Sequence, residues 1–213
     1  MDNQKALEYW KNLSKTPDLT QQSVKVNKIN NHYKEDANFI LRFTDKNTDI
    51  LDLAAGSGGA LNLYYNKINF VLAVEKFKEF SNFIVRADNV AIINADIKDF
   101  DTNKKFDLVL LFGVMQFFNE QESKQIYTKC KKFLQKERGE SKLLIKQQFG
   151  LKEDVFVEYS NELKQRYFST YRHIDKEIEL LKNAGFKTIS KFDIYDKKAN
   201  RWDNTHFYAL VCE

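Results

Sequence analysis

The stretch Asp49-Ile50-Leu51-Asp52-Leu53-Ala54-Ala55-Gly56-Ser57-Gly58-Gly59 decides how this chain is read. It opens as an apolar strand, turns on small residues and enters a helix predicted near 60–67. Glycines at such a turn permit backbone angles that a Cβ forbids, and they let a ligand lie almost against the main chain. The helix that follows presents unpaired N–H groups to whatever sits there. Strand, small-residue turn and helix together describe a nucleotide-type site at the carboxyl edge of a sheet.

Spacing separates the cofactor classes that use such a turn. In the dinucleotide fingerprint G-x-G-x-x-G, a count from Gly56 accepts Gly58 but puts the third place on Leu61. A P-loop is excluded because no Lys-Ser/Thr pair follows the glycines. The segment resembles motif I of the class I S-adenosylmethionine-dependent methyltransferases, a hydrophobic strand followed by Asp/Glu-x-Gly-x-Gly-x-Gly. Here that pattern reads Asp52-Leu53-Ala54-Ala55-Gly56-Ser57-Gly58, with Ala54 at the first glycine. The resemblance implies that Asp52, Ala54, Gly56 and Gly58 contact the methyl donor.

Outward from this centre, strands and helices alternate. Strands are predicted at 50–53, 70–74, 90–94, 108–112, 143–146, 188–195 and 207–212, with helices near 60–67, 77–88, 120–135 and 175–184. Asn119 and Glu122 form a capping-box pair at the start of the third of these helices, and Gly185 is a natural stop for the fourth. Alternation of this kind means an α/β fold with a mainly parallel sheet and helices on both faces. The last two strands are joined through residues 196–205 without a helix, which permits an antiparallel pair. Together with the resemblance this implies a Rossmann-like, seven-stranded methyltransferase sheet in the order 3-2-1-4-5-7-6. Residues 1–213 read as one domain. The segment 1–48 is an N-terminal extension with amphipathic helices at 5–14 and near 37–43, and a polar stretch from Thr20 to Tyr33 between them whose few apolar residues are Val24, Val26 and Ile29. In methyltransferases of this kind such an extension covers the cofactor.

Glu75 ends the second strand, 19 residues after Gly56, where an acid accepts hydrogen bonds from both ribose hydroxyls. Lys76 follows it. Asp96 and Ile97 come after the third strand; the resemblance assigns Asp96 to the adenine amino group and Ile97 to the purine face, although Asp99 and Asp101 crowd the same loop. Residues 106–118 resemble motif IV, so Phe112 and Gly113 belong to the donor floor and Gln116 to the acceptor. The Asn/Asp-Pro-Pro motif of base-methylating enzymes is excluded, since the only proline is Pro17.

Specificity in this fold usually lies after the fifth strand. Tyr167, Tyr171 and Arg172 from that segment, with Tyr33 and Arg201 from elsewhere, are the expected acceptor-binding residues; arginine's planar fork suits carboxylate or phosphate. The tail Arg201-Trp202-Asp203-Asn204-Thr205-His206-Phe207-Tyr208 resembles those of small bacterial methyltransferases, some acting on surface sugars. In-line alignment of nucleophile, methyl and sulfur does most of the chemistry. A hydroxyl acceptor also needs a base near neutral pH. Among the three histidines His173 is favoured and His206 is second, ahead of His32.

Composition bounds the rest. The chain has 213 residues, 43% hydrophobic and 30% charged, so it buries a substantial core. A net charge of +4 suits an anionic small substrate and falls short of a nucleic-acid footprint. Two cysteines, Cys130 and Cys212, have no metal-type spacing. Neither a signal peptide nor an apolar run long enough for a membrane is visible, which implies a cytoplasmic protein. The expectation is therefore an enzyme that moves a methyl group from S-adenosylmethionine, leaving S-adenosylhomocysteine, to a hydroxyl or amine of a small anionic metabolite or activated sugar. Neither metal nor nucleic acid is expected, and monomer and homodimer both stay open. The rivals are an RNA or protein methyltransferase of the same fold and a non-catalytic nucleotide-binding protein.

Overall fold

The computed structural model describes residues 3–24, 32–134 and 141–213. Val26 and Ile29, and the last residue of the helix predicted at 120–135, lie outside them. The seven-stranded sheet contains β1 (Asp49–Leu53), β2 (Phe70–Val74), β3 (Val90–Ile93), β4 (Leu108–Phe112), β5 (Lys142–Gly150), β8 (Ile189–Asp193) and β9 (Thr205–Cys212), while β6 (Val155–Ser160) and β7 (Gln165–Tyr171) form a separate hairpin. The large sheet runs β3-β2-β1-β4-β5-β9-β8. With the hairpin left out of the count, this is the predicted order 3-2-1-4-5-7-6. The pairs among β1 to β5 are parallel, and β9 runs antiparallel to both β5 and β8.

β2 and β4 read as unbroken apolar runs because both faces of a parallel strand are covered. One face carries Leu51, Leu53, Val109, Leu111, Leu143 and Ile145 against α5 (Glu120–Phe133) and α6 (Ile174–Asn183). The other carries Ile50, Val71, Leu108, Leu110 and Leu144 against α2 (Tyr33–Leu41) and α3 (Leu61–Tyr64). The capping box starts α5 as expected: Glu122 N–H donates to Asn119 Oδ1 at 2.9 Å, and Asn119 N–H to Glu122 Oε2 at 3.0 Å. Gly185, at φ +98, follows the end of α6.

Two segments differ from expectation. The helix predicted at 77–88 shrinks to α4 (Lys78–Ser81). The Asn62 side chain takes over the backbone beyond it, donating to Phe83 O at 2.9 Å and accepting from Val85 N–H at 2.8 Å. The region after β5 contains the β6–β7 hairpin. Its period-two signal is broken by a register shift between Val157 and Tyr159, and two apolar side chains, Phe156 and Tyr159, face outward. α1 (Asn3–Ser14) packs Ala6 and Tyr9 against Val157, Tyr167 and Tyr171 of the hairpin and against Phe117. Asn3 Nδ2 donates to Phe117 O at 3.0 Å. A third, smaller core thereby joins the N-terminal helix to the hairpin. Among the described residues no helix is long and apolar enough to cross a membrane.

Candidate functional site

A cavity of about 340 Å³ opens at the carboxyl ends of the parallel strands, where α/β sheets place their ligands. The turn after β1 forms one wall. Ala54, Gly56 and Gly58 hold φ angles of +62, +57 and +67°. Gly56 has open space where a Cβ would project, whereas at Gly58 a Cβ would stand 2.8 Å from Ile84. A Cβ on Gly59 would fall 2.3 Å from the Tyr33 ring. Gly56 thus serves the cavity and Gly58 serves packing, while Gly59 lines the cavity and admits the Tyr33 ring there. Ala54 adopts a left-handed backbone despite its Cβ, at a cost of about 1–2 kcal/mol.

Glu75 is buried at the end of β2. Its Oε2 accepts from Gly56 N–H and its Oε1 from Phe77 N–H, both at 2.9 Å. Burial pushes its pKa up, and these backbone donors only partly offset that. The carboxylate therefore ties the β1 turn to the β2 end and keeps lone pairs for a ligand hydroxyl. Asp96 accepts from Lys76 Nζ at 2.7 Å and from Lys98 N–H at 2.9 Å. Burial raises its pKa, but the lysine bond and charges outweigh burial and leave it below the usual value. Asp52 accepts from Tyr64 Oη at 3.4 Å, and burial pushes it up to about 7. Asp52, Ala54, Gly56, Glu75, Lys76, Asp96, Ile97, Phe112 and Gly113 line the cavity together.

The acceptor candidates divide. Tyr33, Gln116, Tyr167, Tyr171 and Arg201 line the same cavity. Arg201 is held by Glu162 through its Nε at 3.1 Å and an Nη at 2.8 Å. Arg172 does not line it. Buried to 3% exposure, it donates to Glu177 Oε2 at 2.7 Å, Phe118 O at 3.0 Å and Ser123 Oγ at 3.3 Å. It is a framework residue joining β7, α6 and α5.

Neither favoured histidine lines the cavity. His173 sits at the N-cap of α6, as the sequence implies, but its Nε2 faces Leu151 O at 3.0 Å and its backbone N–H donates to Asp154. His206 has both ring nitrogens engaged, by Asn200 at 3.0 Å and by Asp193. Its place on β9, where it pairs with Phe149, turns it to framework contacts. His32 stacks on Tyr195 with ring centroids 4.1 Å apart.

Several lining residues escape sequence reasoning. Ala6, Leu7 and Trp10 of α1, with Phe77, Phe80 and Phe117, give one apolar wall. Asp36 of α2 meets Lys146 of β5 at 3.0 Å and also accepts from Tyr195. Gln147 and Gln148 extend β5 into the cavity. The signal in the sequence is the change within this strand from apolar Leu143-Leu144-Ile145 to Lys146-Gln147-Gln148.

No family model and no curated protein matches this sequence. Solved structures do match in shape. A Leishmania major S-adenosylmethionine-dependent methyltransferase superposes with a TM-score of 0.74 at 16% identity, covering 99% of this chain and 82% of that one. The DhpI complex with S-adenosylhomocysteine gives 0.69 at 15% identity, covering 99% and 96%. The glycopeptide N-methyltransferase MtfA, also bound to S-adenosylhomocysteine, gives 0.67 at 15% identity over 87% and 91%. This chain has the methyltransferase fold. At its ligand edge, Ala6, Leu7 and Trp10 of α1 and Tyr167 and Tyr171 of the hairpin line the cavity.

Proposed function

We propose that the chain is an S-adenosylmethionine-dependent methyltransferase. It transfers the donor's methyl to a hydroxyl or amine of a small metabolite or activated sugar, one carrying an anionic group for Arg201. The observation that carries the reading is the ligand edge itself: Gly56 open to the cavity, with Glu75, Asp52 and Asp96 around it. The donor is a sulfonium with an ammonium and a carboxylate, and so a net cation. The cavity lining answers with four carboxyl groups, Asp36, Asp52, Glu75 and Asp96, against Lys76, Lys146 and Arg201, and Asp52 ionises as the ammonium binds.

In this reading Glu75 receives the ribose hydroxyls, Asp96 and Ile97 receive adenine, and Asp52 receives the ammonium. Ala54, Gly56, Lys76, Phe112 and Gly113 shape the remaining surface, and Gly58 keeps the turn packed against Ile84 behind it. The donor supplies an activated methyl group when bound; the chain orients it, excludes water and aligns the acceptor, and orientation alone accounts for a large part of such a barrier. The N-terminal extension through α1 and the hairpin covers the donor, leaving room for a metabolite rather than a duplex. Tyr33, Gln116, Tyr167 and Tyr171 line the acceptor end.

The test incubates the protein with methyl-labelled donor and either a small-molecule extract or bulk RNA at physiological salt. Label in a small molecule is expected. Transfer to RNA with none to small molecules would reverse the order of the two readings.

A further inference from the structure

At the ends of β4 and β5 lies a group of polar atoms for which the protein offers no partner. Gln147 is 1% exposed, yet neither its Oε1 nor its Nε2 has a hydrogen-bond partner among the described residues. Gln116, 8% exposed, leaves its Oε1 without one. Both side chains line the cavity. Buried amides without partners are rare because desolvating them costs free energy that nothing returns.

One hydrogen bond fixes the orientation of the Gln116 amide, and strand register places Gln147 beside it. Gln116 Nε2 donates to Gly113 O at 2.8 Å, so its Oε1 is the atom left over. Gln147 follows Lys146, which pairs in register with Phe112, the residue before Gly113. Gly113 N–H donates to Lys146 O at 2.6 Å. The two glutamines therefore flank Gly113, whose φ of +70° leaves open space where a Cβ would lie. What they present is uncharged: two carbonyl oxygens and one amide NH₂. Of the charged neighbours, Lys146 is paired with Asp36, while Arg201, braced by Glu162, lines the cavity and is left to the acceptor's anionic group.

We infer that Gln116 and Gln147 hold the methyl acceptor and that the methylated group is a primary amine. This rests on the methyltransferase reading above and deepens it. Two carbonyl oxygens require two donated hydrogens from the group they orient. A hydroxyl has one, whereas an unprotonated primary amine has two and keeps a lone pair pointing away from both oxygens. That lone pair forms the N–CH₃ bond as the C–S bond breaks and its electrons pass to sulfur. The products are S-adenosylhomocysteine and a methylammonium, which then gives its extra proton to water. No side-chain base is needed, which agrees with a cavity that no histidine lines among the described residues. The methylated product offers only one N–H, so transfer stops after one methyl.

The experiment pairs amino sugars, nucleotide-linked amino sugars and amino acids with their hydroxyl counterparts, alongside a whole-cell metabolite extract. Methyl-labelled donor is supplied, products are identified by mass spectrometry, and S-adenosylhomocysteine binding is measured by calorimetry in parallel. Monomethylated amine is expected, without the O-methyl counterpart. Gln147→Leu is expected to lower kcat/KM by about 10–100-fold, with S-adenosylhomocysteine affinity within about twofold of wild type and unliganded melting temperature equal or higher. A purely structural role would instead lower the melting temperature. O-methylated product, absence of methylated amine from every source, or wild-type turnover in Gln147→Leu overturns the inference. Failure of the wild type to bind S-adenosylhomocysteine overturns the methyltransferase reading beneath it.

Discussion

At the ends of β1, β2 and β3, the polar side chains that face the cavity already have partners in the protein. Glu75 holds Gly56 and Phe77 N–H, Asp96 holds Lys76, and Asp52 accepts from Tyr64. At the ends of β4 and β5, Gln116 and Gln147 bring three amide atoms with no partner among the described residues. The first region is preorganised around backbone turns and ion pairs, which suits a donor of fixed shape. The second leaves hydrogen bonds for the ligand to complete, and so makes binding depend on the acceptor's identity. A site that is satisfied when empty gives affinity, whereas one that is unsatisfied when empty gives discrimination.

Arg172 sharpens this contrast, because the sequence assigns it to the acceptor region and the structure to the framework. The Arg172 and Glu177 side chains are both buried and lie 2.7 Å apart. Glu177→Ala leaves a buried guanidinium without its carboxylate, and the expected loss is about 3–5 kcal/mol in denaturant unfolding. Unchanged stability would return Arg172 to the acceptor site.

Asp52 tests the donor region. With its folded pKa at about 7 against a usual value near 4, the buried carboxyl is largely neutral below neutrality. A bound ammonium favours the ionised form, so binding below pH 7 must release a proton. Donor and product affinity should therefore fall about tenfold, about 1.4 kcal/mol, from pH 8 to pH 6. The Asp52→Asn variant should bind more weakly with no such slope. A wild-type titration that is flat across this range would remove Asp52 from the ammonium.

Much of the cavity wall at the ends of β1, β2 and β3, the donor region of the proposed function, is legible because local rules suffice there. The 19-residue step from Gly56 to Glu75 is one strand–helix–strand unit of fixed length. It brings the acid to the turn in the structure, where Glu75 Oε2 takes Gly56 N–H. The acceptor region was less legible because it is made by segments far apart in sequence. Asn3 meets Phe117, Lys146 meets Asp36, and Arg201 meets Glu162. His173 shows how a local argument fails: it stands at the helix start that the sequence implies, but its ring meets Leu151 O, 22 residues away in sequence. The hairpin carried β-rich composition, Val155 to Tyr159 and Phe168 to Tyr171, but the bulge after Val157 hides its alternation.

The smallest effect concerns the turn itself. Ala54 at φ +62° carries strain that glycine lacks, while glycine also loosens the unfolded chain. Ala54→Gly should stabilise by about 0.5–1 kcal/mol net, read as a higher denaturant midpoint. A lower midpoint would show that the alanine methyl packs more than its backbone angle costs.

The central claim is that Gly56, Glu75 and Asp52 form the seat of a methyl donor. Calorimetric titration of S-adenosylhomocysteine and of NAD into the wild-type protein and Glu75→Ala tests it most directly. One equivalent of S-adenosylhomocysteine should bind the wild type, NAD should not, and Glu75→Ala should lose about 1.5–3 kcal/mol of that affinity. Binding of NAD without S-adenosylhomocysteine, or equal S-adenosylhomocysteine affinity in the Glu75→Ala variant, would contradict the account.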